Sequence, residues 1–243
     1  MSCEIMVNAL IFDFGGTLDT HGDHWSKVIW SAYLQNGVLN ESQATDFREA
    51  YVFAERTLGN GHIIRPNYTF KLTLDVKLRL QLEYLITHGV LDINEKMVFQ
   101  NLHTQLHQQL YDDVWQTIRK SREVLIPLVS RYPTALVSNF YGNMPMVLRE
   151  FQLDRLFLHV VESAAVGIRK PDPTIFRLAI ERLGIPPQKI LVVGDSMKND
   201  ILPAKQCGCQ TCWLKGDGWD DIIEDVSDYT ITDIHQLSSD VLL

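Results

Sequence analysis

No stretch of 18 apolar residues occurs in this chain of 243 residues, which argues against a membrane-spanning helix. Positive charge is scarce: 22 Lys and Arg stand against 30 Asp and Glu, for a net charge of −8, and no basic stripe is present. That excludes nucleic acid and an anionic membrane as main partners, so any small anion must be met by local positive groups. The first residues carry neither the basic start nor the apolar run of a secretory leader, so the expectation is a cytoplasmic protein. Four Cys are too few for a disulfide framework. Cys207, Cys209 and Cys212 lie close together but lack a further ligand at structural-zinc spacing, and are expected to be buried or idle thiols. Internal repeats and low-complexity linkers are also missing, and nothing in the residues fixes an oligomeric state.

What is present is ample core material, 46% apolar, in a chain longer than one typical domain and short for two. A core with a smaller insert is the natural organisation. The stretch Leu10-Ile-Phe-Asp-Phe-Gly-Gly-Thr-Leu-Asp-Thr20 marks where chemistry can begin. Ala9 to Phe12 is the continuous apolar run of a buried parallel strand, and Gly15-Gly16 is the break that ends it. Asp13 is therefore expected at a strand's carboxyl end, the edge where open parallel sheets bind ligands. A carboxylate, two glycines and the Thr17 hydroxyl there could hold a cation and a phosphate side by side.

After Thr20 the pattern changes. Trp25–Gln35, Glu41–Leu58 and Glu95–Leu110 read as amphipathic helices, with Gly37 and Gly59 at helix ends. Between Phe70 and Tyr84 apolar and polar residues alternate strictly, as in a strand. Fifteen residues is too long for one, and Leu, Lys, Arg, Gln and Glu are helix formers. The expectation is a helix with two apolar stripes, 70, 74, 78, 82 and 72, 76, 80, 84, sandwiched between neighbours. His103 and His107 are expected on a solvated helix face. From Val114 strands and helices alternate: a helix over Gln116–Arg131, strands at Thr134–Val137, Leu156–Val161 and Ile190–Val193, and edge strands at Thr211–Leu214 and Tyr229–Ile231. Helices are expected from Asn143 to Phe151, from Asp172-Pro173 to Gly184 and over Asn199–Gln206. Such alternation implies an α/β fold, a Rossmann-like parallel sheet with helices on both faces. The core is then discontinuous, residues 1–20 and 113–243, and residues 21–112 form a helical cap inserted after the first strand.

Asp13, Ser138, Lys170, and Asp195 with Asp200 follow four such strands, and in a parallel sheet all these ends open on one edge. The segments Phe12-Asp-Phe-Gly-Gly-Thr-Leu18, Val137-Ser-Asn139, Gly167-Ile-Arg-Lys-Pro-Asp-Pro-Thr-Ile-Phe176 and Val193-Gly-Asp-Ser-Met-Lys-Asn-Asp200 resemble the motifs of the haloacid dehalogenase-like superfamily. The likeness is to its phosphoglycolate-phosphatase-like hydrolases, which carry a helical cap after the first motif.

The resemblance implies a Mg²⁺-dependent phosphatase acting on a small phosphorylated metabolite through an aspartyl-phosphate on Asp13. Asp13, the Gly15 carbonyl, Asp195 and Asp200 would hold Mg²⁺, a hard cation suited to oxygen ligands. Ser138 and Lys170 would act on the phosphate, and Phe14, Gly16 and Asn139 would help to bind it. The cap matches only in position, so it transfers no substrate; Trp25, Arg56, Arg65 and Tyr68 are its candidate specificity residues. The sequence departs from the family's phosphatases at Gly15, where a second Asp usually serves as acid and base. Asp19, His21 or His24 are the nearby groups that could replace it, against the plainer reading that they are hinge residues. Two alternatives stay open: a weakened member that binds a phosphorylated ligand or a partner protein, and a metal-free 2-haloacid dehalogenase.

Overall fold

The computed structural model describes residues 7–60, 63–93, 95–218 and 224–242. Strand β1 (Ala9–Phe12) leads into helices α1 (Trp25–Gln35), α2 (Ala44–Asn60), α3 (Phe70–Thr87) and α4 (Lys96–Val129). Strand β2 (Thr134–Ser138), helix α5 (Met144–Glu150), strand β3 (His159–Glu162) and the short helix α6 (Ser163–Val166) follow. The chain then alternates through α7 (Thr174–Leu183), β4 (Ile190–Gly194), α8 (Leu202–Gln206), β5 (Gln210–Leu214) and β6 (Tyr229–Ile231). Among the described residues no helix is long and apolar enough to cross a membrane.

Among the described residues six strands form one parallel sheet, in the order β3-β2-β1-β4-β5-β6. The order reverses beside β1, from which the chain works outward first through β2 and β3 and then through β4 to β6. The residues leaving β1 and β4 thus flank the switch point, where a crevice opens at the carboxyl edge. Register makes this concrete: Phe12 pairs with Leu136 on one side and Val193 on the other, and the Asp13 amide donates to the Val193 carbonyl at 3.0 Å.

Side chains alternate across the sheet, as strand geometry requires. Ala9 and Ile11 pack with Ile175, Phe176 and Ala179 of α7 on one face. Leu10 and Phe12 face the other, in a buried cluster that runs through Phe14, Phe70 and Phe151 into Tyr33, Leu78 and Leu106 of the helical layer. The helices over the carboxyl edge therefore share one apolar interior with the sheet.

Residues 70–84 lie in a helix, as helix propensity predicted against the strand-like alternation. Only the stripe through Phe70, Leu74, Leu78 and Leu82 is buried, and Leu72 is 48% exposed. The expected second stripe gives way to Thr73, Lys77 and Gln81, one helical step from the first: the Thr73 hydroxyl donates to the Thr69 carbonyl, Lys77 pairs with Glu55, and Gln81 Oε1 accepts from the Tyr33 hydroxyl. The two helices expected over Glu95–Leu110 and Gln116–Arg131 are one, α4, because neither Gly nor Pro interrupts the chain until Pro127 in the last turn. His103 and His107 are buried, not solvated: their Nε2 atoms bond the α3 carbonyls of Asp75 at 3.0 Å and Lys71 at 2.9 Å. Strand β3 starts three residues later than expected, since Leu156–Leu158 form the approach to it and Leu158 is 67% exposed.

Candidate active site

Four strand ends deliver side chains to one cavity of about 170 Å³. Asp13, one residue beyond β1, is 5% exposed and takes the Lys170 ammonium on Oδ1 at 2.5 Å. Lys170 Nζ also donates to Asp200 Oδ1 at 2.7 Å and to the Val137 carbonyl at 3.3 Å, so its three hydrogens are all directed. Asn139 fixes the Lys170 backbone: its Oδ1 accepts from the Lys170 amide at 2.9 Å and its Nδ2 donates to the Lys170 carbonyl at 3.1 Å. Asn139 lines the cavity, yet its amide is committed to holding the lysine.

Asp195 follows β4, and its amide donates to Thr17 Oγ1 at 3.0 Å. The Thr17 hydroxyl has Asp195 Oδ1 at 3.0 Å and Asp13 Oδ2 at 3.3 Å as acceptors, which ties the β1 loop to the β4 loop. Asp200 sits in the wide π-helical turn Met197–Ile201, its Oδ2 accepting from the Ser196 amide at 3.0 Å. Two glycines make these approaches possible. Gly16 has φ +102°, and a Cβ there would meet Asp195 Oδ2 at 2.3 Å. A Cβ on Gly194 would meet the Asp200 Cβ at 2.4 Å.

Asp13, Asp195 and Asp200 thus form a buried group with one carboxylate oxygen from each within 4.8 Å of the others. One ammonium faces three carboxylates. Burial, with the charges of Asp200 and Asp13, holds the Asp195 carboxyl well above its usual range. Burial pushes Asp200 up to about 6 even though Lys170 opposes it. Burial alone would lower the Lys170 ammonium, but the two carboxylates raise it and keep it protonated. An all-oxygen, excess-negative group is what a hard divalent cation fits.

Ser138, at the end of β2, is 1% exposed and lines the same cavity, as do Asp13, Gly15, Lys170, Asp195 and Asp200. Phe14 and Gly16 are not among the lining residues, but the phosphate cradle expected there is one of backbone amides and not of side chains. The Phe14 ring turns away to pack against Phe70, Phe140 and Phe151, and the Gly16 amide is taken by Asp19 Oδ1 at 2.7 Å. Of the four specificity candidates only Trp25 lines the cavity. Arg56 and Arg65 are exposed, and Tyr68 is half-buried with its carbonyl accepting from Asn143 Nδ2 at 2.9 Å.

Of the three groups considered as replacements for the missing acid, His24 lines the cavity, while Asp19 is buried behind Trp25. His24 also caps α1, its Nδ1 accepting from the Ser26 amide at 3.1 Å, so the ring hydrogen of the neutral imidazole is on Nε2. A Cβ at Gly15 would meet Trp25 Cδ1 at 3.9 Å, an ordinary contact.

The cap side of the cavity contains residues that motif reading missed. Lys77 of α3 pairs with Glu55 of α2 at 2.6 Å, and the Tyr141 hydroxyl donates to Glu55 Oε2 at 2.7 Å. A lysine among Leu74 and Leu78 on one helix face was the available signal. Cys207, Cys209 and Cys212 are free thiols away from the site, and burial pushes Cys209 and Cys212 up to about 12.

A family model for haloacid dehalogenase-like hydrolases matches residues 7–208. A glyceraldehyde 3-phosphate phosphatase of Pyrococcus furiosus is 35% identical over 123 residues, 48% of this chain and 51% of that protein. The chain thus spans about half the length of that relative. A phosphoglycolate phosphatase of Vibrio cholerae is 28% identical over 214 residues, 86% of this chain and 84% of that protein. Among solved structures, a Bacillus subtilis hydrolase bound to magnesium superposes with TM-score 0.61 at 18% identity, covering 98% of this chain and 99% of that one. At that identity the likeness concerns the fold.

Proposed function

The chain belongs to the haloacid dehalogenase-like hydrolases, and from that premise we propose that it is a Mg²⁺-dependent phosphatase of small phosphorylated metabolites. The observation that carries this reading is the convergence of Asp13, Asp195 and Asp200 around one buried lysine at the carboxyl edge of the sheet. The relatives named as phosphatases support the substrate class. In this reading residues 1–20 and 113–243 are the catalytic core and residues 21–112 the cap, with α4 crossing the division as one continuous helix.

The Asp13 carboxylate attacks phosphorus, the ester P–O bond breaks, and the alcohol oxygen leaves with the bond's electron pair and takes up a proton. Water then hydrolyses the aspartyl-phosphate, which frees phosphate and restores Asp13. Lys170, held charged by its two carboxylates and fixed through Asn139, supplies positive charge beside the phosphoryl group, and Ser138 binds a phosphoryl oxygen. Asp13, Asp195, Asp200 and the Gly15 carbonyl would hold Mg²⁺, which when bound offsets negative charge on the carboxylate and the phosphoryl group.

Position 15 has no carboxyl to protonate the leaving oxygen. General acid catalysis is worth about 10²–10⁴-fold, well short of a phosphatase's whole acceleration. The enzyme should therefore act best on esters whose leaving group needs no proton. The experiment is phosphate release from p-nitrophenyl phosphate and from an alkyl phosphate, with and without Mg²⁺. Metal-dependent turnover of the aryl ester with a much poorer alkyl rate is expected. Absence of release from both, with phosphate analogues still bound, would instead identify a ligand-binding member.

A further inference from the structure

The cavity that holds Asp13 is also lined by an ion pair that the phosphate chemistry does not use. Lys77 Nζ and Glu55 Oε1 are 2.6 Å apart, with side chains 10% and 25% exposed, and both line the cavity. Three rings surround the ammonium: Trp25 and Tyr141 with centroids at 5.6 Å and Tyr51 at 6.0 Å. Glu55 is also held by the Tyr141 hydroxyl at 2.7 Å and by the Tyr51 hydroxyl. Burial opposes charge on both members, but each keeps the other ionised. The cap end of the cavity is thus charged in detail and neutral in sum.

We propose that the Glu55–Lys77 pair selects the leaving group by charge, admitting a phosphate ester with a small uncharged hydroxyl or carbonyl tail and turning away a carboxylate tail. This rests on the phosphatase reading and names the substrate class within it. The Lys77 ammonium has three hydrogens and gives one to Glu55, leaving donors for a neutral oxygen. A carboxylate tail would bring a second anion to an ammonium already matched, beside an ionised Glu55 that cannot move away from its three donors. Arg169 also lines the cavity, but it is exposed and screened by water. Size points the same way. A cavity of about 170 Å³ is close to the roughly 150 Å³ that accommodates a benzene ring, so the tail beyond the phosphoryl group is no larger than a single small ring and is not a nucleoside.

The test uses two esters of equal length, glyceraldehyde 3-phosphate and 3-phosphoglycerate, which differ by an aldehyde against a carboxylate. The wild-type protein with Mg²⁺ is expected to favour the aldehyde in kcat/KM by about tenfold or more. Glu55→Gln, which leaves Lys77 unmatched, should shift the ratio toward the carboxylate by a similar factor, mainly through KM. The double variant Glu55→Gln/Lys77→Met, again neutral, should return it toward wild type, which a merely structural role for the pair would not do. A wild-type preference for the carboxylate, or a ratio unmoved by Glu55→Gln, overturns the proposal. Turnover of p-nitrophenyl phosphate reports separately on the phosphatase reading. If no ester reacts, the same ratios taken from calorimetric dissociation constants support or overturn the selection by the same criteria.

Discussion

The Trp25 indole donates its Nε1 hydrogen to Asp19 Oδ2 at 2.9 Å, and its Cδ1 edge lies 3.9 Å from where a Gly15 Cβ would be. One side chain thus covers the position left without a carboxyl and holds a buried carboxyl four residues further on. Asp19 is fixed at both oxygens, by Trp25 and by the Gly16 amide at 2.7 Å. It stiffens the loop that carries Asp13 without lining the cavity.

Restoring a carboxyl at position 15 should supply the missing proton. The 3.9 Å contact leaves room for a Cβ, and Gly15 does not have the left-handed backbone that would penalise a side chain. Gly15→Asp is expected to raise alkyl phosphate turnover by up to about 10²-fold, within the range of general acid catalysis, with a smaller gain on aryl esters. Equal or reduced alkyl rates in a folded, Mg²⁺-binding variant would mean that another group already donates the proton.

Asp19 gives a pH dependence with a definite sign. Burial raises its carboxyl to about 7 from the usual 3.8, although the Gly16 and Trp25 donors pull the other way. The folded state therefore holds this proton more tightly than the unfolded chain. Its contribution to stability is complete below about pH 3.8 and lost as pH rises to about 7. At 1.36 kcal/mol per unit, that loss is about 4 kcal/mol. Urea unfolding of metal-free protein should show the stability of wild type relative to Asp19→Asn falling by a few kcal/mol between pH 4 and 7.5. A difference independent of pH would contradict the assignment.

Gly16 is where the β1 and β4 loops touch. With φ +102° and Asp195 Oδ2 at 2.3 Å from a Cβ, Gly16→Ala must both strain the backbone and push the carboxylate away. The expected cost is about 1–3 kcal/mol in urea unfolding, together with weaker Mg²⁺ binding by calorimetry. Unchanged stability and unchanged affinity would show that the two loops need not meet there.

The sheet was legible because its strands are buried on both faces and read as plain apolar runs, as Ala9–Phe12 and Ile190–Val193 do. Asp13, Ser138, Lys170, Asp195 and Asp200 were legible because strand ends in a parallel sheet share an edge, which is a property of topology more than of side-chain packing. Contacts between distant elements were not. Nothing local says that Gly16 gives its amide to Asp19, that Phe14 turns into an aromatic cluster, or that Asn139 spends its amide on Lys170. Lys77 and Glu55 lie 22 positions apart on different helices, and their pairing depends on how α2 and α3 cross. His103 and His107 looked solvated because imidazole is polar, but α3 carbonyls satisfy them in the interior.

The central claim is covalent chemistry at Asp13, and reductive trapping tests it directly. An acyl phosphate on an aspartate is reduced by borohydride to homoserine, while a free carboxylate is not. Protein turning over p-nitrophenyl phosphate with Mg²⁺, quenched into borohydride and digested, should yield homoserine at position 13 by mass spectrometry and none without the ester. Phosphate release without homoserine at 13, or with it at another aspartate, would contradict the account.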